Sequence, residues 1–141
     1  MRLSSKKTVY LIDGMNFVWA MSETFPRADV PAACREFLLW LNGISRLPKM
    51  RQNDFRTIMD GGFRDFGVKL LSNVHIVFTE GITADEWIYE RSVFLKSQNK
   101  RVAVVSNDRR LVEELGNENV RCLSAAKFFR MCEAARKDNI S

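Results

Sequence analysis

Arg101-Val102-Ala103-Val104-Val105-Ser106-Asn107-Asp108 is a short, unbroken apolar run that ends in small polar residues and an acid. An uninterrupted run of this length suits a strand covered on both faces, as in a parallel sheet, better than the half-wet strand of an antiparallel one. Ser106-Asn107-Asp108 then leads into a helix that stops at Gly116. Moving outward, Val120 to Leu123 reads as a short strand, and Ser124 caps an amphipathic helix carrying Phe128, Phe129 and Met131. On the other side, Thr83 opens a helix with Glu86 three residues later, the pattern of a capping box. Ala84, Ile88 and Leu95 form its apolar face, and Gln98-Asn99 marks its end. His75 to Phe78 is the strand before it.

Thr8 to Ile12 is β-rich and closes on Asp13-Gly14, a strand signal followed by a turn signal. A proline-containing loop follows. Ala32, Ala33, Phe37, Leu38, Leu41 and Ile44 then fall at helical spacing, with Pro31 suited to the first turn. Phe55 to Met59 is a second strand that ends in Asp60-Gly61-Gly62. Arg46 to Asn73 mixes basic residues, glycines and short apolar pieces and reads as a segment able to hold a mobile loop. Strands alternating with helices predict an α/β protein with a central, mainly parallel sheet. Its 141 residues, 46% hydrophobic and 28% charged, fit a single domain over residues 1–141.

The rare residues narrow the chemistry. Cys34, Cys122 and Cys132 form no CxxC pair and are odd in number, which fits buried thiols in a reducing compartment. His75 is the only histidine, so histidine zinc sites and serine triads have no material; it reads as a core or sheet-face residue. No glycine-rich phosphate cradle of the dinucleotide or P-loop type occurs. Val9 to Ile12 is too short for a signal peptide or a membrane span, so the expectation is a cytoplasmic protein with no membrane partner. Lysine and arginine number 22 against 17 acids, for a net charge of +5, which suits a polyanionic partner without identifying one.

Carboxylates therefore carry the expected chemistry. Ligands in open α/β sheets bind where strands end. Asp13 follows the first strand, Asp60 the second and Asp108 the fourth, while Asp85 and Glu86 start the helix after the third. Each has a structural explanation as well: a turn for Asp13, a cap for Asp108, and helix-dipole placement for Asp85 and Glu86. Together, several acids at one edge repel one another unless cations compensate. Oxygen ligands suit Mg²⁺ or Mn²⁺, which activate water and stabilise leaving oxygens in phosphodiester cleavage. Asn16 fits either an N-cap or a group that orients a water or phosphate; Glu90 reads as solvated.

Val9-Tyr10-Leu11-Ile12-Asp13-Gly14-Met15-Asn16, Thr83-Ala84-Asp85-Glu86-Trp87-Ile88 and Val104-Val105-Ser106-Asn107-Asp108-Arg109 resemble, in order and spacing, the signature segments of NYN domains in the PIN-like nuclease superfamily. The YacP-like branch is the nearest likeness, extending to the Ser124-Ala125-Ala126-Lys127-Phe128 helix start. The resemblance implies a PIN-like three-layer α/β/α sandwich and a metal-dependent endoribonuclease using Mg²⁺ or Mn²⁺ to activate the attacking water. It would leave a 5′-phosphate and a 3′-hydroxyl. A bacterial member of the family cuts messenger RNA within the ribosome, so RNA, with mRNA foremost, and the ribosome are the implied partners. Carried over by position, Asp13, Asp85 and Asp108 are metal-site acids and Asn16 their polar companion. Glu86 stands where aspartate is common, Asp60 matches the acid after the second strand, and Met15 replaces a common tyrosine.

Arg109 and Arg110 directly follow Asp108 and could take a phosphate, or simply offset nearby acids. Arg46, Lys49, Arg51, Arg56, Arg64 and Lys69 cluster in the middle segment, where Arg56 and Arg64 are candidates for tracking an RNA backbone. Phe17 and Trp19 read as core with base stacking as the alternative, and Trp40 as core or helix-packing. The rival reading is a non-catalytic RNA-binding or ribosome-associated module that keeps the fold. Phosphatase chemistry, which needs a second aspartate two residues after the first, is set aside because Met15 occupies that place.

Overall fold

A computed structural model describes residues 7–25 and 29–140. Strands β1 (Thr8–Asp13), β2 (Asp54–Met59), β3 (Val74–Phe78), β4 (Arg101–Val105) and β5 (Arg121–Leu123) form one sheet in the order β3-β2-β1-β4-β5, and every neighbouring pair is parallel. Helices α1 (Gly14–Ala20), α2 (Val30–Ser45) and α5 (Ala125–Ile140) cover one face; α3 (Ala84–Ser97) and α4 (Arg109–Asn117) cover the other. The three-layer α/β/α arrangement is thus present. Right-handed crossovers explain the sides. The chain winds outward from β1 to β3, then returns over β2 and β1 to β4, and reversing direction moves the helices to the opposite face.

Strand alternation divides the core accordingly. Tyr10, Ile12, Phe55, Met59, Ala103 and Val105 face α1, α2 and α5, whereas Val9, Leu11, Ile58, Val102 and Val104 face α3 and α4. Aromatic rings fill the first layer: Phe17 is buried and lies 5.0 Å from Phe37 and 5.9 Å from Trp40, centroid to centroid. The core reading of Phe17 holds, while Trp40 is only partly buried against that cluster. Pro31 lies in the first turn of α2, behind the Asp29 cap on Ala32. Positions 26–28 of the expected proline loop lie outside the described residues.

One expectation changes at the end of β1. Asp13-Gly14 reads in sequence as a turn, but the chain passes straight from β1 into α1. A Cβ on Gly14 would stand 2.8 Å from Met59 Sδ and Cε and from Thr57 Cγ2, so glycine is required for α1 to lie close on β2. The segment Arg46 to Asn73 contains the strand expected at Phe55 to Met59, which is β2 and is one residue longer at its start. Its irregular part is tethered: Asn42 Nδ2 donates to Lys69 O (3.0 Å), Leu71 N donates to Asn42 Oδ1 (3.2 Å), and Asn73 Nδ2 donates to Asn53 O (3.1 Å). Phe66, Val68 and Leu70 pack against the core where a crossover helix would otherwise lie. Of the two places expected for His75, the sheet face is the one it takes: it is exposed there, with Nε2 3.2 Å from Asp54 Oδ1.

Cys34 and Cys132 are buried, Cys122 is half-buried, and all are free thiols. Burial pushes their pKa values up. Among the described residues no helix is long and apolar enough to cross a membrane.

Candidate active site

The winding direction reverses between β1 and β4, and the connections leaving their carboxyl ends diverge, opening a crevice there. Asp13 is the last residue of β1 and is 8% exposed. It occupies the N-cap position of α1 without a full side-chain capping bond, the backbone N–H of Asn16 approaching it only weakly, and its carboxylate lies beside the crevice's other acids. Asp108 caps α4 by accepting from Leu111 N (3.0 Å), while its own amide donates to Ser106 Oγ (3.0 Å). The third strand delivers no acid itself. Asp85 enters on the first turn of α3, whose start is tied to the end of β2 because Ala84 N donates to Asp60 Oδ1 (2.6 Å).

These placements bring Asp85 into side-chain hydrogen-bond contact with both Asp13 and Asp108, with Asp60 close enough to act on the first two through its charge. The Asp13 carboxyl is pushed up from 3.8 to about 7, first by burial and next by the Asp85 charge, with Asp60 and Asp108 adding to it; the Asn16 amide opposes the rise. Asp85 is raised as well, by burial, then by Asp108 through charge and a hydrogen bond, and by Asp60. The hydrogen bond with Asp13 opposes that rise. Among the described residues none of Asp13, Asp85 or Asp108 is ion-paired with lysine or arginine.

Asn16 braces the site: its Oδ1 accepts from Asn107 N (2.8 Å), and Asn107 Oδ1 in turn accepts from Ala125 N (2.8 Å). The chain of amide bonds ties α1, the turn after β4 and the start of α5 together. Ser106 and Asn107 were read from sequence only as the lead-in to a helix. The available signal was their composition, since Ser-Asn-Asp favours side-chain-to-backbone turn bonds. Glu86 completes the capping box, with Oε1 accepting from Thr83 N (3.1 Å) while Thr83 Oγ1 accepts from Glu86 N (3.1 Å).

The arginines are less uniform. Arg109 and Arg110 are exposed at the start of α4; Arg110 Nε lies 3.5 Å from Glu114, within a groove that also includes Asp85, Glu86 and Glu90. Arg64 donates to the Asp60 carbonyl and its guanidinium lies 5.3 Å from the Phe78 ring centroid, so it stands beside the acidic edge. Arg56 is not brought there. It lies in the first half of β2 and donates to Asp54 Oδ2 from Nε (3.2 Å) and Nη2 (3.0 Å). Trp19 is not core: it is 50% exposed and shares a small apolar cleft with Met15, Val18, Val30 and Ala33.

Hard carboxylate oxygens, crowded and with no counter-cation among the described residues, match the donor chemistry of Mg²⁺ or Mn²⁺. Among the described residues no three such side chains are posed to close on a metal ion as they stand. A full cage is not needed, because Mg²⁺ is commonly held through one or two carboxylates with waters completing its shell. The acids therefore fit a hydrated divalent ion better than a rigid protein-only site.

The sequence model of the YacP-like NYN domain matches residues 10–140. Among solved structures, Rae1 (YacP) from Bacillus subtilis is similar with a TM-score of 0.72 at 18% identity, covering 92% of this chain and 76% of that one. A tryptophan-to-leucine mutant of the same protein gives 0.73 at 18% identity, with 93% and 78% covered. No curated protein sequence matches the chain. The structural likeness shows a shared α/β fold, and the match along nearly the whole sequence establishes the lineage: this chain belongs to the YacP-like NYN domain family.

Proposed function

We propose that this chain is a single-domain, divalent-metal-dependent endoribonuclease that cuts RNA phosphodiester bonds, with messenger RNA on the ribosome as its setting. One observation carries the reading: Asp13, Asp85 and Asp108, delivered by separate segments, meet at the sheet's switch point, and among the described residues no lysine or arginine is paired to them. When bound there, Mg²⁺ or Mn²⁺ supplies Lewis-acid stabilisation of phosphoryl oxygens and a more acidic water. Asp13, Asp85 and Asp108 hold the ion. Asp60 fixes the first turn of α3 and hence Asp85, Glu86 stabilises the same turn, and Asn16 sets the turn that carries Asp108. Arg109, Arg110 and Arg64 stand beside the acids and take flanking phosphates by charge-assisted hydrogen bonds.

The test is cleavage of a mixed-sequence RNA by wild type and Asp13→Asn in Mg²⁺ or Mn²⁺. Loss of cleavage in a folded variant is expected, and full activity in it would sink the assignment. One observation favours a second reading, a non-catalytic RNA-binding or ribosome-associated module: Asp60, Asp108 and Glu86 each accept from a backbone amide and so have structural work already. Calorimetric metal titration of wild type and Asp85→Ala separates the two. Stoichiometric binding that the variant loses supports the nuclease; no binding in either supports the module.

A further inference from the structure

The edge of the sheet opposite the carboxylates is basic. Lys7 precedes β1, Arg101 opens β4, Arg121 opens β5, and Lys96 and Lys100 come from the end of α3 and the turn after it. All five are exposed, and among the described residues none is ion-paired with an acid. Lys96, Lys100 and Arg101 line two adjoining shallow clefts, one completed by Lys7 and the other by Arg121; no aspartate or glutamate lines either. Glu118, at the end of α4, accepts instead from the Tyr89 hydroxyl (3.1 Å).

Helix dipoles explain part of this charge. Lys96 and Lys100 stand at the C-terminal end of α3, where cations are favoured. Lys7, Arg101 and Arg121 stand at strand starts, which offer no comparable negative pole. The pairing Thr8↔Arg101 places Lys7 and Arg101 on neighbouring strands, and Ala103↔Arg121 places the start of β5 beside them. Strands about 4.8 Å apart spread the three starts over about 10 Å across the sheet, with Arg121 level with Ala103 and so about 7 Å further along the strands. Duplex phosphates recur about every 3.4 Å of axis on each strand, so a row of this size meets more than one of them.

We propose that this edge is a docking surface for the phosphate backbone of RNA, separate from the acidic crevice and indifferent to base sequence. It rests on the reading of RNA as the substrate class. β4 rises about 13 Å from Arg101 to Val105 at about 3.3 Å per residue, and Asp108 lies beyond the turn that follows, so a di- or trinucleotide held at the acids does not reach the edge. The surface acts on long or folded RNA, by raising its affinity.

The test compares wild type with the combined Lys100→Ala, Arg101→Ala, Arg121→Ala variant, both carrying Asp13→Asn and kept in EDTA, in binding to an RNA hairpin across a salt series. Losing three duplex phosphate contacts lowers the slope of log K against log salt by about 2.7 units, and weakens binding most at low salt. With Asp13 restored, the variant should cleave a short oligonucleotide as wild type does and a long RNA less well at low concentration. If its melting temperature falls, the pair Lys7→Gln, Lys100→Gln serves, with a slope change of about 1.8 units expected. Unchanged hairpin affinity and slope overturn the proposal. So does a loss of binding to phosphatidylserine vesicles with RNA binding intact, which would assign the edge to a lipid surface. Absence of cleavage by wild type would count against the nuclease reading alone, because the binding comparison needs no catalysis.

Discussion

Replacing Asp13 by asparagine should make the metal-free protein more resistant to unfolding at neutral and alkaline pH, and progressively less so toward acid. The Asp13 carboxyl rises from 3.8 to about 7 on folding, through burial and the neighbouring acids. Between those values the unfolded chain has released this proton and the folded chain still holds it. The unfolded state then binds fewer protons, so wild-type stability falls as pH rises from about 4 to about 7 and levels off above. The rise of roughly three units corresponds to about 4 kcal/mol at about 1.36 kcal/mol per unit. Asparagine cannot ionise, so the stability difference between variant and wild type should grow by about 4 kcal/mol across that window. Urea unfolding in EDTA at a series of pH values measures it. A difference that stays flat with pH would refute the claim that these acids are crowded without compensation. Adding Mn²⁺ should narrow the gap at neutral pH: a site filled at a hundred times its dissociation constant stabilises wild type by about 2.7 kcal/mol, and the variant should gain much less.

Gly14→Ala should destabilise the protein by about 1–3 kcal/mol, because the added methyl meets Thr57 Cγ2 as well as the end of Met59 at 2.8 Å. Met59 can move aside, but buried, β-branched Thr57 cannot; an unchanged urea midpoint would show that α1 has slack. Asn16→Ala removes the acceptor of the Asn107 amide and should cost about 1 kcal/mol in stability, with a larger fractional loss of RNA cleavage because the turn bearing Asp108 is freed. Melting and cleavage measured together decide it, and activity equal to wild type in Asn16→Ala would remove Asn16 from the site.

Much of the fold was readable from local pattern. The capping box of Thr83 and Glu86 is a contact between residues three apart, and the apolar run of β4 reports its own double-sided burial. Short-range signals of this kind survive without knowledge of the partner. Helix α1 was hidden for the opposite reason. Asp13-Gly14 is also a turn signal, and what demands the glycine is Met59 and Thr57 on another strand. The tether of the segment after β2 was hidden likewise, since it depends on Asn42 from α2.

The same division runs through the candidate site. The sequence by itself determined which residues can carry chemistry: a chain with one histidine and no phosphate cradle leaves its acids, and their places after strands follow from strand pattern alone. Tertiary structure decided which of those acids meet. Strand order puts β1 beside β4, the reversal of winding opens the crevice between them, and the bond from the Ala84 amide to Asp60 brings Asp85 to Asp13 and Asp108. It also sent Arg56 to Asp54 and gathered Lys7, Arg101 and Arg121 on the far edge. Sequence patterns record each residue's own backbone preference and burial, whereas convergence is set by sheet order and by contacts between distant segments, and only the folded chain contains those.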